Sequence, residues 1–278
     1  MGTAANGVTI AACEAGSPLD KLETRILMMH ALGLTRIQLI TRSDDVLAAE
    51  QLDAVQERIQ RRVAGEPIAY ITGEREFYGL SFSVTPDVLI PRPDTELLVE
   101  LAQQHAPQNG SLLDMGTGSG AIAIAVAHQR PDLQVTALDV SAAALAVAQA
   151  NAQKILGPGR LHLLRSDWYA ALADQRFHTI VSNPPYIVSG DHHLGEGDLR
   201  FEPINALTDH ADGLSAYRTI VGGAAVHLQK DGCLLMEHGY DQAEAVRSLL
   251  ALHGFTQVQS WRDLAGIERV SGGKLAAD

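Results

Sequence analysis

Leu112-Leu113-Asp114-Met115-Gly116-Thr117-Gly118-Ser119-Gly120 carries an apolar stretch straight into three glycines at alternate positions. An apolar run bounded by a turn reads as a buried strand, and residues 120–129 after it read as a helix. Glycines let the turn be tight and let a ligand approach the backbone, while the first N–H groups of the helix lack partners within it. Strand, glycine turn and helix in this order open nucleotide folds of many kinds. Spacing narrows the choice. Gly-x-Gly-x-Gly departs from the Gly-x-Gly-x-x-Gly of dinucleotide enzymes, and no Lys-Ser/Thr comes after it to make a P-loop.

Downstream, strand-like runs at 134–139, 161–165, 178–182, 233–237, 256–261 and near 267–270 alternate with helical patterns at 142–156, 215–227 and 242–253. Such alternation predicts an open, mostly parallel, doubly wound α/β sheet. Asp139 then stands at the end of the second strand, where an acid accepts hydrogen bonds from ribose hydroxyls. Ser166-Asp167-Trp168 comes after the third strand and offers a polar group and a flat ring for adenine. A turn cap and a core aromatic are the plainer roles for Asp139 and Trp168. A nucleoside without a pyrophosphate fits this set of parts.

The fourth strand runs into Asn183-Pro184-Pro185-Tyr186, outside the strand ends where open α/β sheets bind ligands. The proline pair ends strand pairing and holds the backbone extended. Two acceptors are thereby left free, the Asn183 side-chain oxygen and the Pro184 carbonyl, and together they suit the two hydrogens of a planar –NH2 group. Tyr186 is placed to pack against the plane of that group. An isolated Asn-Pro-Pro-Tyr is also a rigid turn. Behind a nucleoside loop it predicts an S-adenosylmethionine-dependent methyltransferase acting on an amide or amino nitrogen. Asn183, Pro184 and Tyr186 are its candidate catalytic residues, and Asn183 to Tyr186 its candidate substrate site.

Upstream, residues 1–16 are small and polar and are expected to be frayed, Cys13 included. Ser17-Pro18-Leu19-Asp20 reads as a helix start, with Ser17 as cap and Leu22, Ile26, Met29 and Leu32 at helical spacing behind it. A second start at Ser43-Asp44-Asp45 leads to Leu52, Val55, Ile59 and Val63, so roughly the first 65 residues form a small helical unit. Aromatic and β-branched residues around a glycine in 77–84 suggest a hairpin. Pro86, Pro91 and Pro93 stiffen the connecting segment after it, and Asp94 or Thr95 caps a helix bearing Leu97, Leu98 and Leu101.

The 278 residues, 46% hydrophobic and 19% charged, have the balance of a soluble globular chain. No apolar run reaches membrane-spanning length, and residues 1–12 lack a secretory pattern. Two cysteines are too few for a disulfide framework or a four-ligand zinc site, which fits a reducing, cytoplasmic setting. A net charge of -12 argues against gripping nucleic-acid phosphates and for a protein or small-molecule substrate. Arg58, Arg61, Arg62 and Lys154 could make a local basic patch, though a solvated helix face is the plainer reading. His192, His193 and His210 fit no common metal-ligand spacing, and no metal is expected.

Several blocks together resemble those of one known family. They are Glu66-Pro67-Ile68-Ala69-Tyr70-Ile71-Thr72-Gly73, Phe77-Tyr78-Gly79-Leu80, Leu89-Ile90-Pro91-Arg92-Pro93-Asp94-Thr95-Glu96, the glycine loop, Asn183-Pro184-Pro185-Tyr186, Arg200-Phe201-Glu202-Pro203 and Glu237-His238-Gly239. The family is that of the bacterial release factor glutamine methyltransferases (PrmC/HemK), and the resemblance covers nearly the whole chain. It implies a helical, substrate-recognising N-terminal domain over 1–73, a hairpin linker over 74–92 and a class I, Rossmann-like methyltransferase domain over 93–278. It also implies a substrate, N5 of the glutamine in the Gly-Gly-Gln motif of class-1 peptide chain release factors. Carried over by position, Gly116, Thr117, Gly118, Ser119, Gly120, Asp139, Trp168 and Asn183 would contact S-adenosylmethionine, and Asn183 to Tyr186 would hold the glutamine amide.

Two other functions remain open on the sequence. An adenine-N6 methyltransferase could grip an exocyclic amino group with the same tetrapeptide, but would have to flip its base and hold a phosphate backbone. A non-enzymatic cofactor-binding module is disfavoured by the intact tetrapeptide. Arg92 and Glu96 either line the pocket or brace the linker. Glu237 and His238 either support the site from behind or cap the next helix. The segment 190–213 is a candidate lid.

Overall fold

The computed structural model describes residues 7–276, and the chain divides into two compact units between Gly73 and Glu74. The first unit is all helix: α1 (Ile10–Ala15), α2 (Lys21–Leu32), α3 (Arg36–Thr41), α4 (Ala49–Val63) and α5 (Ile68–Thr72). Its core joins Ile10, Cys13, Leu27, Met28, Leu39, Val55, Ile59 and Ile71. The expected frayed start is corrected here for residues 7–16, while 1–6 lie outside the described residues. Thr9 caps α1, and Ile10 and Cys13 are buried. Two buried side chains in a six-residue helix are enough to hold it to the core.

The second helix also departs from expectation. Its cap is Asp20, whose carboxylate accepts from the N–H groups of Leu22 and Glu23, three residues later than Ser17. The buried face is Thr24, Leu27 and Met28, with Leu22 exposed. Ser43-Asp44-Asp45 is a turn after α3, and α4 begins at Ala49. The candidate basic patch is dispersed by ion pairs: Arg61 with Glu66 at 2.6 Å and Arg62 with Glu23 at 2.7 Å.

The second unit opens with a hairpin, β1 (Glu74–Phe77) and β2 (Leu80–Ser83). Tyr78 and Gly79 turn it with φ of 54° and 75°, the left-handed pair a two-residue hairpin turn requires. Phe77 and Phe82 meet edge to face with centroids 6.0 Å apart and bury the hairpin against the unit's own core. The chain continues through α6 (Glu96–His105), β3 (Ser111–Met115), α7 (Ala121–Gln129), β4 (Gln134–Asp139), α8 (Ala142–Ile155), β5 (His162–Arg165), β6 (Phe177–Ser182), α9 (Ile204–Leu207), α10 (Ser215–His227), β7 (Leu228–Glu237), α11 (Ala243–Leu252), β8 (Phe255–Arg262) and β9 (Glu268–Leu275).

Seven strands form one sheet in the order β5-β4-β3-β6-β7-β9-β8. Pairing is parallel from β5 to β7, and β9 is antiparallel to both its neighbours. Both faces are covered because successive side chains point to opposite sides of a strand. Leu112, Ala137, Val181 and Leu235 pack with α6, α7 and the hairpin. Leu113, Leu138, Ile180, Leu234 and Met236 pack with α10 and α11. Strand order reverses between β3 and β6, so β4 lies beside β3 on one side and β6 on the other. A crevice opens at that switch point, above the carboxyl ends of the strands.

Candidate active site

At the end of β3 the chain turns through Gly116 and Gly118, both with positive φ, before Gly120 (φ 84°) starts α7. The loop's own amides are largely spent inside it. Gly116 and Thr117 both donate to the Leu138 carbonyl at 2.9 Å, and Gly118 donates to Asp139 Oδ2 at 3.0 Å. Asp139 Oδ1 accepts from the Ser141 N–H at 2.9 Å. The carboxylate thus props the loop and caps a turn, yet each oxygen keeps a lone pair for a further donor.

Two buried side chains, neither singled out in the sequence, set the loop from below. Asp114 Oδ2 accepts from the Thr117 hydroxyl at 2.6 Å and the Ala123 N–H at 3.3 Å, while its Oδ1 has no partner among the described residues. Asn151 on α8 donates to the carbonyls of Ser83 and Ser119, both at 2.9 Å, and accepts from the Ser83 N–H at 2.7 Å. It stitches β2 to the glycine loop.

A cavity of about 280 Å³ lies over this loop. Gly116, Gly118, Asp139, Trp168, Asn183 and Pro185 are in its wall. Outside that wall, the Thr117 and Ser119 side chains are buried, Gly120 starts the helix, Pro184 is buried, and Tyr186 is half-buried against the core of the sheet. A Cβ added at Gly116 or Gly118 would meet no protein atom within 4 Å, so these glycines keep ligand space clear. The charged residues in the wall are Asp87, Asp139 and Asp167, with no lysine or arginine. These acceptors suit a nucleoside carrying positive charge and no phosphate. S-adenosylmethionine has this chemistry: ribose hydroxyls that a carboxylate can accept from, a flat adenine of the kind the half-buried Trp168 ring could stack on, and a cationic sulfonium.

Asp87, Val88, Pro203, Asn205 and Ala206 also line the cavity, from two segments whose contribution the sequence did not reveal. A buried clasp joins these segments: Glu202 accepts from the Ile90 N–H at 3.2 Å and pairs with Arg92. Arg92 therefore braces one cavity edge without entering it. Glu96 braces the hairpin by accepting from the Tyr78 N–H at 2.9 Å. Asp191, His192 and His193 bring ligand atoms within 4.8 Å of one another on the 190–213 segment, with both histidines exposed. His210 bonds Asn205 instead, at 2.7 Å.

Asn183 emerges from β6 beside the last residue of β7. Its Nδ2 donates to the Thr95 hydroxyl at 3.3 Å, and both groups face the buried carboxyl of Glu237. The Tyr186 carbonyl accepts from Gln242 Nε2 at 3.0 Å, and burial together with Glu237 pushes the Tyr186 phenol up to about 12. His238 is buried between the Gly239 carbonyl at 2.9 Å and the Ser271 hydroxyl at 2.8 Å, so it supports the strand end and caps no helix.

Burial raises Asp114 and Glu237 from the ordinary carboxylate range to about 7 each. Between the ordinary value and about 7 the folded chain holds protons that the unfolded chain has released. Stability from these groups is therefore full below the ordinary carboxylate value and is lost as pH rises through about 7. Raising the pH from about 6.5 to about 8.5 should cost the ligand-free protein roughly 1–2 kcal/mol, a fall of a few degrees in thermal midpoint. Hydrogen bonds and charge hold Asp212 and Asp132 low, so they titrate well below this window. A midpoint that is flat or rising over this interval would contradict the assignment.

Residues 11–73 match the family model described as the PrmC N-terminal domain, and residues 93–196 match the methyltransferase small domain. The chain is 58% identical over 266 residues to the release factor glutamine methyltransferase of Burkholderia pseudomallei, covering 93% of each chain. It is 53% identical over 260 residues to the protein of that name from Bordetella pertussis, covering 92% of this chain and 96% of that one. Among solved structures, a methyltransferase from Pyrococcus furiosus aligns over 80% of this chain and 100% of its own with a TM-score of 0.55 at 18% identity, a likeness of fold.

Proposed function

The chain belongs to the release factor glutamine methyltransferase family, and from that premise we propose that Asn183 to Tyr186 hold the glutamine side chain it methylates. The reaction moves a methyl group from S-adenosylmethionine to N5 of the glutamine in the Gly-Gly-Gln motif of class-1 peptide chain release factors. One observation carries the residue assignment: Asn183 lies in the same cavity wall as Gly116, Gly118, Asp139 and Trp168. An amide held there lies next to the cofactor site.

S-adenosylmethionine supplies the electrophilic methyl group on its sulfonium. The chain must make an amide nitrogen a nucleophile, against the delocalisation of its lone pair. Asn183 Oδ1 and the Pro184 carbonyl accept its two N–H groups and favour the pyramidal form, with the lone pair turned into the cavity. Fixed orientation lowers the barrier, and the two acceptors stabilise positive charge as it develops on nitrogen. Tyr186, held by Gln242 through its carbonyl, packs against the amide plane. A proton leaves nitrogen after transfer, so no strong base is needed. Gly116 to Gly120, Asp139 and Trp168 hold the cofactor, and the 1–73 unit is assigned to gripping the release factor.

No helix among the described residues is long and apolar enough to cross a membrane, and Cys13 and Cys233 are both buried and free. We place the enzyme in the cytoplasm with its translation substrate, and assign it no membrane or direct nucleic-acid partner. The test offers labelled cofactor with a recombinant release factor, its Gly-Gly-Ala variant and unmethylated DNA. Label on the release factor alone, lost in the variant, is the expected result. Label on DNA would overturn the substrate while leaving the fold intact.

A further inference from the structure

One buried carboxyl beside the cavity is left idle by methyl transfer through Asn183 to Tyr186. Ser182 on β6 is paired with Met236 on β7, so one step along both parallel strands sets Glu237 beside Asn183. Glu237 is 3% exposed, and its Oε2 has no hydrogen-bond partner among the described residues. Its backbone is pinned, because the Tyr217 hydroxyl donates to its carbonyl at 2.8 Å. Thr95, also buried, stands against both Glu237 and Asn183.

Counting protons gives this arrangement a direction. A threonine hydroxyl has one hydrogen. Given to the Glu237 carboxyl, it leaves Thr95 Oγ1 only as an acceptor toward Asn183. Asn183 must then present its NH2 to Thr95 and Glu237, and its carbonyl oxygen points the other way. With Glu237 ionised, the reversed amide would set oxygen against oxygen in a site too buried for water to screen the repulsion.

We propose that Glu237 is a positioning residue: with Thr95 it fixes the flip of the Asn183 amide so that Oδ1 faces the cavity and the incoming –NH2 group. The inference rests on the reading that Asn183 accepts from the methylated nitrogen. Asp94 and Arg269 also reach Glu237 electrostatically, as do the phenols of Tyr186 and Tyr217. None of these supplies the Thr95 relay to Asn183.

Glu237→Met removes the acceptor at similar volume, and an apolar replacement for a buried polar group is commonly neutral or stabilising. Expected for this variant is an unchanged or higher thermal midpoint, unchanged cofactor affinity and KM, and kcat lower by about 10- to 100-fold, the size of effect a misplaced group produces. Glu237→Gln keeps an acceptor for Thr95 and should stay nearer wild type. A merely structural role predicts the opposite pattern, a lower midpoint with kcat per folded molecule retained, and that result would overturn the proposal. Should Glu237→Met fail to fold, Thr95→Val breaks the relay with nearly the same volume. The Asn183 side-chain NH2 signal in a ¹H–¹⁵N spectrum of the full chain, assigned by Asn183→Ser, reads the contact without substrate. It should move in the Met or Val variant, and an unmoved signal would sink the proposal. A wild-type chain inactive on release factors would sink the substrate reading instead, and the NH2 signal would still decide Glu237.

Discussion

Asn183→Ala is expected to cut glutamine methylation steeply in a chain that still folds and still binds S-adenosylmethionine. The alanine would remove one of the two acceptors proposed to orient the amide, and with it the help given to charge developing on nitrogen. Losing one such preorganised partner lowers kcat by about 10²- to 10³-fold. Folding should survive, because Asn183 is only partly buried and its side-chain amide meets Thr95 and Glu237 at the edge of the cavity. The vacated Thr95 hydroxyl and Glu237 carboxyl cost about 1–3 kcal/mol. Single-turnover transfer of labelled methyl to a release factor measures the chemical step apart from product release, and equilibrium dialysis measures the bound cofactor. Retention of more than about a tenth of wild-type turnover would refute an orienting role of this size. Asn183→Asp separates geometry from charge. It restores acceptor oxygens but sets a second carboxyl beside Glu237, so one of the two must stay protonated. Its activity should be partial and should decline as pH rises.

What the sequence made legible was local. Leu112 and Leu113 are adjacent, and burial of both on opposite sheet faces is what an unbroken apolar run means in a doubly covered sheet. The glycine loop, Asp139 and Asn183 to Tyr186 were legible because each sits at a strand end that its own neighbours define. Errors arose where distant packing decides. Ile10 and Cys13 are too few to show a helical period, and only the closed core of the first unit shows what holds them. In α2 the spacing of Leu22, Ile26, Met29 and Leu32 is sound, yet Leu22 faces solvent because the tertiary contacts fall on Leu27 and Met28. The start of β7 was masked by Lys230-Asp231-Gly232, where Asp231 takes a φ of 60° and breaks the apolar run. The supporting side chains of the site depend on pairings no local pattern encodes. Asn151 meets Ser83 across 68 positions, and Glu202 meets Ile90 across 112. Glu237 meets Asn183 only because β6 and β7 are neighbours in a given register.

Asp139→Ala is expected to weaken S-adenosylmethionine binding by at least about 100-fold, since hydrogen bonds to a charged group contribute about 1.5–3 kcal/mol each and two ribose hydroxyls lose their acceptor. A second loss compounds the first. The same carboxylate holds the Gly118 and Ser141 N–H groups at 3.0 and 2.9 Å, so its removal frees the loop that keeps the ligand space clear. Asp139→Asn should fall between, because its one carbonyl oxygen accepts from the loop or from a hydroxyl but carries no charge. S-adenosylhomocysteine, whose sulfur is neutral, separates the two ways an aspartate could act. If Asp139 works through the ribose, the alanine variant loses affinity for both compounds by the same factor. If it acts only as part of the acidic wall with Asp87 and Asp167, the cationic compound alone is weakened. Titration calorimetry on wild type and both variants gives the comparison. Equal affinities in wild type and alanine variant would reduce Asp139 to a turn cap and move the ribose site elsewhere in the cavity.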